Sequence, residues 1–348
     1  MENQEKPHKR RVRYSGTHPK RFSEKYKEHQ PEKYADVVEK VIRKGSTPAG
    51  MHISICVKEI LDFLQIQPGQ RGLDATLGYG GHTLEMLKCL KGEGHIYGLD
   101  VDPIESEKTK ERLKKQGFGE DILTVKLLNF RNIDQVAEEA GKFDFVLADL
   151  GVSSMQIDNP ERGFSYKVDG PLDLRMNPQK GISAAQRLKE VTQEELYGML
   201  LENADEPYAE EISKAVIRQR SIRPVETTTD LKQVIEQALS FIPEKERREA
   251  VKKSCQRSFQ ALRIDVNSEF EVLYDFLEKL PQVLAPNGRA AILTFHSGED
   301  RLVKKSFKQF YKEGIYSDIS KDVIRPSQEE CARNSRAKST KMRWAIRA

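Results

Sequence analysis

The sequence predicts an α/β fold in which a mainly parallel sheet is interrupted by a helical insertion. Three observations carry that expectation. Strands and helices alternate from about residue 71 to 150, the first strand closes on a glycine-rich turn, and the alternation breaks after Gly151 to return only at Arg289. Residues 1–45 are polar, basic and poor in aliphatics, and Pro7, Gly16, Pro19 and Pro31 interrupt any period. That stretch predicts a largely disordered arm with a short helix over Tyr34–Arg43. A helix carrying Ile55, Ile60, Leu61 and Leu64 follows and stops before Pro68-Gly69. Arg71–Leu77 reads as a strand, His82–Leu90 as a helix and His95–Leu99 as a second strand. Pro103 opens the next helix at its first position, where a missing N–H costs nothing. Ile122–Leu128 and Phe143–Leu150 are two further strands. Thr192–Glu202, Glu206–Arg220, Thr229–Phe241 and Ser268–Leu280 all carry helical patterns, and a strand returns at Arg289–Phe295. The expected organisation is a basic arm over 1–45, an α/β domain over 46–165 and 281–348, and an inserted helical domain over 166–280.

The totals narrow the function classes. Of 348 residues 32% are charged and 37% hydrophobic, and no apolar run approaches a membrane span. The N-terminus lacks the apolar stretch of a secretory signal, so a cytoplasmic protein with no membrane contact is expected. The four cysteines, Cys56, Cys89, Cys255 and Cys331, lie far apart. That spacing argues against a disulfide framework and a zinc centre, and no metal is expected. The net charge of +4 is unevenly spread: residues 1–25 contribute +5 and residues 333–348 contribute +6, leaving −7 between them. Two basic termini around an acidic body suit a polyanionic partner such as RNA, though solvated charge alone gives the same composition.

The turn Leu73-Asp-Ala-Thr-Leu-Gly78-Tyr-Gly80-Gly81-His82 ends the first strand and opens a helix. Its glycines permit positive φ and close approach of a ligand to the backbone, at the sheet edge where open α/β folds bind ligands. The spacing G-x-G-G differs from the dinucleotide fingerprint. Asp100 ends the second strand, where a carboxylate can accept both ribose hydroxyls of an adenosine ligand. The pair favours adenosine binding without separating a nicotinamide from a sulfonium cofactor. The fourth strand delivers Asp149 to the same edge and runs into Leu150-Gly-Val-Ser153-Ser154-Met-Gln156. The loop beyond it, Glu161-Arg-Gly-Phe-Ser165 and Asp169-Gly-Pro-Leu-Asp-Leu-Arg-Met176, is charged, glycine-rich and aperiodic, as functional loops often are.

At these residues the sequence resembles the bacterial RsmH (MraW) family, which methylates the N4 amine of a cytidine in 16S ribosomal RNA near the decoding centre. The matching strings are Asp74–His82, Asp149–Ser154, Arg162–Ser165, Asp169–Met176, Ser258–Ile264 with Val266-Asn267, Phe295–Ser297 with Glu299–Arg301, and Asn334–Arg336. The resemblance implies a seven-stranded, class I (Rossmann-like) S-adenosylmethionine-dependent methyltransferase with an inserted helical domain. It implies donor contacts from Gly80, Gly81 and His82 at the methionine side, Asp100 at the ribose, Phe130 beside the adenine, and Asp149 and Gln156 near the sulfonium. It also implies the small ribosomal subunit as partner and is compatible with a homodimer. The chain departs from the family at Lys253-Ser-Cys-Gln256, Gly298 and Ser335, and by its long basic arm. These departures are expected in RNA-facing segments and suggest a divergent paralogue.

A cytosine N4 is a poor nucleophile because its lone pair is delocalised, so a catalyst must align it and stabilise its developing positive charge. Asp149 is the candidate for that work, with donor binding as its rival role. His296 is a weaker candidate base. No aromatic follows Asp149, and Phe164 is the candidate to stack the base instead. Arg162, Arg175, Arg263 and Arg301 are candidate phosphate contacts. A non-catalytic RNA-binding or ribosome-assembly factor on the same fold, or a methyltransferase for another amine, are the alternatives.

Overall fold

In the computed structural model the described residues are 54–348, and the arm with its expected helix at Tyr34–Arg43 lies outside them. The chain runs α1 (Val57–Leu64), β1 (Arg71–Asp74), α2 (Gly81–Leu90), β2 (His95–Asp100), α3 (Pro103–Lys115), β3 (Leu123–Leu127), α4 (Ile133–Ala140) and β4 (Phe143–Asp149). The strands among these match the expected ones to within a few residues, and α4 lies between the third and fourth of them. After β4 come α5 (Ser154–Asp158), α6 (Ala184–Glu190), α7 (Gln193–Ala204), α8 (Ala209–Ile222), α9 (Thr228–Ala238), α10 (Glu244–Asn267) and α11 (Glu269–Val283). The chain then completes the sheet with β5 (Leu284–Thr294), α12 (Ser297–Lys312), β6 (Tyr316–Ile319), α13 (Gln328–Arg333) and β7 (Lys341–Arg347).

The seven strands lie in the order β3-β2-β1-β4-β5-β7-β6. Strands β1 to β5 pair in parallel, and β7 runs antiparallel between β5 and β6. The order reverses between β1 and β4, so their carboxyl ends flank the switch point at which open α/β sheets bind ligands. Period-two alternation sends Phe145 and Leu147 of β4 to the core shared with α1 and α2, and Val146 and Ala148 to the opposite core. Helix starts follow side-chain chemistry. Asp102 accepts from the Ile104 and Glu105 amides ahead of Pro103, and Ser153, Ser183, Thr192 and Thr227 each close a capping box.

Helices α6 to α10 share a third core around Leu188, Leu200, Ile212, Ile235, Phe259 and Leu262. The sequence placed the end of the helical insertion at residue 280. Instead α11 turns Leu273, Phe276, Leu277 and Leu280 onto the sheet, so the separate helical core closes near Asn267. The sharp corner is made by Ser268, a left-handed residue (φ 49°) between α10 and α11. Helix α10, at 24 residues, shows no clear apolar period in the sequence because its exposed half is dense in charge. Expected to face RNA, Ser254 and Cys255 are in fact fully buried in this core, where the Ser254 hydroxyl donates to Glu206 Oε1 at 2.8 Å. Lys253 and Gln256 are exposed. Gly298 is accommodated by an aromatic neighbour: a Cβ there would lie 2.6 Å from the Phe270 ring.

Gly72 of β1 lies against the buried Phe145 ring, and a Cβ would come within 1.9 Å of it. Gly72→Ala should therefore overpack the sheet and cost about 1–3 kcal/mol. The expected readout is a lower urea midpoint at unchanged slope.

Candidate active site

A cavity opens at the carboxyl ends of β1, β2 and β4. Its first wall is the glycine turn, Ala75 to His82, which is followed by Asp100 and Val101 and then by Leu128, Asn129 and Phe130. The opposite wall is built by Asp149 to Ser154 and Gln156, together with Met176, Asn267, Glu269, Val272, Leu273, Phe295 and Glu299.

The turn is shaped by backbone demands. Gly80 sits at φ 75° as the N-cap of α2, and a Cβ there would meet Thr109 at 2.7 Å. A Cβ on Gly81 would meet the Ser54 hydroxyl at 2.1 Å. The Gly78 amide donates to Asp100 Oδ2 and the Asp102 amide to Asp100 Oδ1, both at 2.8 Å. Asp100 is thereby held rigid while each oxygen keeps a lone pair for a diol. Burial pushes its carboxyl up to about 6 against the pull of those amides. Phe130 presents one side to the cavity and packs edge-on against Phe276, with ring centres 5.2 Å apart.

Asp149 contrasts with its neighbour Asp74. Asp74 is fully enclosed but satisfied, accepting from the Thr83 hydroxyl at 2.6 Å and the Thr76 amide at 3.1 Å. Asp149 has its amide bound to Thr76 Oγ1 at 2.6 Å, yet its own Oδ1 is buried without a hydrogen-bond partner among the described residues. Burial first, and then the negative Asp74 and Glu299, push its carboxyl up to about 6, with His82 pulling the other way. His82 is itself buried. Its Nε2 lies 2.9 Å from the Ile55 carbonyl, which can only accept, so Nε2 carries the proton and Nδ1 faces Asp149 Oδ2 at 3.6 Å. Gln156 lines the cavity with its amide already committed: Oε1 accepts from the Ser153 amide and Nε2 donates to Asp102 Oδ2 at 3.0 Å.

Several expected RNA contacts lie elsewhere. Arg162 is buried and ion-paired to Asp102 at 2.6 Å, so no guanidinium face is left for a phosphate. Phe164 packs inside the helical core and does not line the cavity, so it cannot stack a base there. Arg263 is held by Glu269 through two bonds of 2.7 and 2.9 Å, and Arg175 by Asp173 through bonds of 2.7 and 2.8 Å. Of these four arginines only Arg301 is well exposed, its side chain 70% accessible and 3.8 Å from Asp205. His296 does not line the cavity. Glu299 does, with His296 Nε2 3.1 Å from its Oε1. Met176, Asn267 and Glu299, which line the cavity, were not expected there from the sequence; each stands in the same motif as Arg175, Arg263 or Arg301, whose charge is the more conspicuous signal.

The donors and acceptors suit an adenosine-bearing sulfonium. The rigid carboxylate at Asp100 fits a ribose diol, the aromatic wall at Phe130 fits a base, and the orphaned acid at Asp149 lies where positive charge would gather. With a seven-stranded sheet carrying one antiparallel strand between β5 and β6, this defines a class I S-adenosylmethionine-dependent methyltransferase. A model of the MraW methylase family matches residues 49–348, and the chain belongs to that family. The ribosomal RNA small subunit methyltransferase H 1 of Lachnoclostridium phytofermentans is 73% identical over 348 residues, spanning 100% of this chain and 95% of that one. The protein of the same name from Agathobacter rectalis is 69% identical over 347 residues and 99% of each chain. The ribosomal RNA small subunit methyltransferase H of Koribacter versatilis is 39% identical over 299 residues, covering 85% of this chain and 94% of its own. No helix among the described residues is long and apolar enough to cross a membrane.

The raised Asp149 carboxyl gives a pH signature. Held at about 6 when folded against an ordinary 3.8, it binds its proton more tightly in the folded state. Its contribution to stability is therefore complete below about pH 4 and lost as pH rises through 6. Asp149→Asn should be about 1–3 kcal/mol more stable than the parent at pH 8, with the gain vanishing toward pH 4. Urea midpoints at the two pH values measure it.

Proposed function

We propose that this protein transfers the methyl group of S-adenosylmethionine to the N4 amine of a cytidine in 16S ribosomal RNA near the decoding centre. The observation that carries the reading is the Oδ1 of Asp149, buried without a hydrogen-bond partner among the described residues and set between the glycine turn and the Met176–Asn267–Glu299 wall. The family and the names of its relatives support the substrate class.

The donor supplies an electrophilic methyl on a sulfonium. Gly80 and Gly81 let it approach the backbone, Asp100 accepts its ribose hydroxyls, and Phe130 borders its adenine. His82 and Gln156 brace that side of the cavity through Asp149 and Asp102. Asp149 accepts an N–H of the target amine, which aligns the nitrogen and offsets the positive charge it gains. As the new N–C bond forms, the methyl–sulfur bond of the sulfonium would break and leave a neutral thioether, and the one proton the nitrogen sheds can pass to the Asp149 carboxylate, poised near 6, at neutral pH. The target base must be unstacked to enter, which suits a loop or a partly assembled subunit. His296 is read here as a positioning group for Glu299. Arg301 is the phosphate contact that best fits its exposure.

The helical core of α6 to α10 is read as an inserted domain that holds the acceptor wall, and the basic arm as adding salt-dependent RNA affinity. The reaction is placed in the cytoplasm, with a homodimer as the assembly to look for by sedimentation. The departures at Lys253 and Gln256, both exposed, keep a second target base in view. Mass spectrometry of 16S rRNA from a deletion strain decides between them: loss of N4-methylcytidine is expected, and an unchanged signal rejects the assigned target.

Two variants separate donor binding from chemistry. Asp100→Ala should weaken S-adenosylmethionine binding on the order of 10- to 100-fold by calorimetry. Asp149→Ala should leave that affinity within a few-fold and lower kcat on the order of 100- to 1,000-fold. Equal losses in both quantities would reduce Asp149 to a donor ligand.

A further inference from the structure

We infer that Arg162 is a positioning residue that brackets the donor and acceptor halves of the site through opposite ends of one guanidinium. This rests on the methyl-transfer reading above. On one side its Nη1 donates to Asp102 Oδ2 at 2.6 Å, inside the protein, where Asp102 has no exposure at all. Asp102 caps α3, accepts from Gln156 Nε2, and uses its own amide to fix Asp100 Oδ1. On the other side Nη2 donates to the Arg175 carbonyl at 3.0 Å and the Met176 carbonyl at 2.7 Å. The Met176 amide in turn donates to Asn267 Oδ1 at 2.8 Å, and Asn267 Nδ2 donates to the Leu174 carbonyl at 2.8 Å. Met176 and Asn267 both line the cavity. The loop that carries Met176 lacks helix or strand from 163 to 183, so its shape at the cavity depends on such tethers.

A lysine cannot do both tasks. Its ammonium can keep the charge pair with Asp102, but it lacks the planar fork that reaches two carbonyls beyond it. Arg162→Lys should therefore keep the donor side and loosen the acceptor side. The donor Kd, by calorimetry with S-adenosylmethionine, should stay within about 3-fold of the parent. The KM for small-subunit RNA should rise at least about 10-fold in a tritiated-methyl transfer assay. A residue that merely supports folding would lower the active fraction, reducing kcat while both KM and Kd held. If Arg162→Lys does not fold, the double change Asp102→Asn with Arg162→Gln removes both charges together, leaves no uncompensated buried ion, and should give the same split.

Unchanged kinetics in a folded variant, or a fall in kcat alone, overturns the bracket. Failure of the parent protein to bind S-adenosylmethionine would instead overturn the methyl-transfer reading on which it rests.

Discussion

Two carboxylates at the ends of neighbouring strands set the terms for everything around them. The reversal of strand order puts β1 beside β4, and each ends on an aspartate. Burying both near one another is costly unless each finds donors. Asp74 finds them in the Thr83 hydroxyl and the Thr76 amide. Thr76 also ties down the Asp149 backbone through its hydroxyl, so one residue serves both strand ends. Asp149 is left with a fixed main chain, one oxygen facing His82, and one oxygen with no hydrogen-bond donor among the described residues. Protein donors satisfy the first acid, while the second lines the cavity.

Several other charges near the cavity are arranged with the opposite logic, each closed off by an oppositely charged partner. Asp102 is neutralised by Arg162, Glu269 by Arg263, and Asp173 by Arg175. Such pairs add little to stability once desolvation is counted, but they hold geometry because breaking one strands a buried ion. The loop between α5 and α6 and the corner between α10 and α11 are the parts of the acceptor wall with least regular structure. They are the parts these pairs secure.

Much of the fold could be read in advance because its signals are local. Pro103 at the first position of its helix and the glycines of the first turn each fix an element end with a few residues. The glycine and aspartate positions of the cavity were legible for the same reason: Asp100 and Asp149 end strands that the pattern of alternation locates, and Gly80 and Gly81 open the helix after the first strand. What stayed hidden depends on packing between distant segments. Whether Arg162 meets water or Asp102 is decided 60 residues away along the chain. Phe164 reads as a free aromatic until Leu172, Leu174 and the helices of the insertion close over it. Strands β6 and β7 are short or mixed in polarity, and they become strands by pairing at the sheet edge.

Ser268 turns the chain between Asn267 and Glu269, two residues that line the cavity, in a conformation that side chains other than glycine adopt at a cost of about 1–2 kcal/mol. Glycine would hold the same angle without that strain, and would also let the corner sample the mirror-image and extended regions open to it. The serine therefore trades a little native-state energy for a narrower range of motion at a joint where the helical core meets the sheet. The acceptor wall inherits that narrowness: the spacing between the Asn267 amide and the Glu269 carboxylate is set by a joint with few alternative settings.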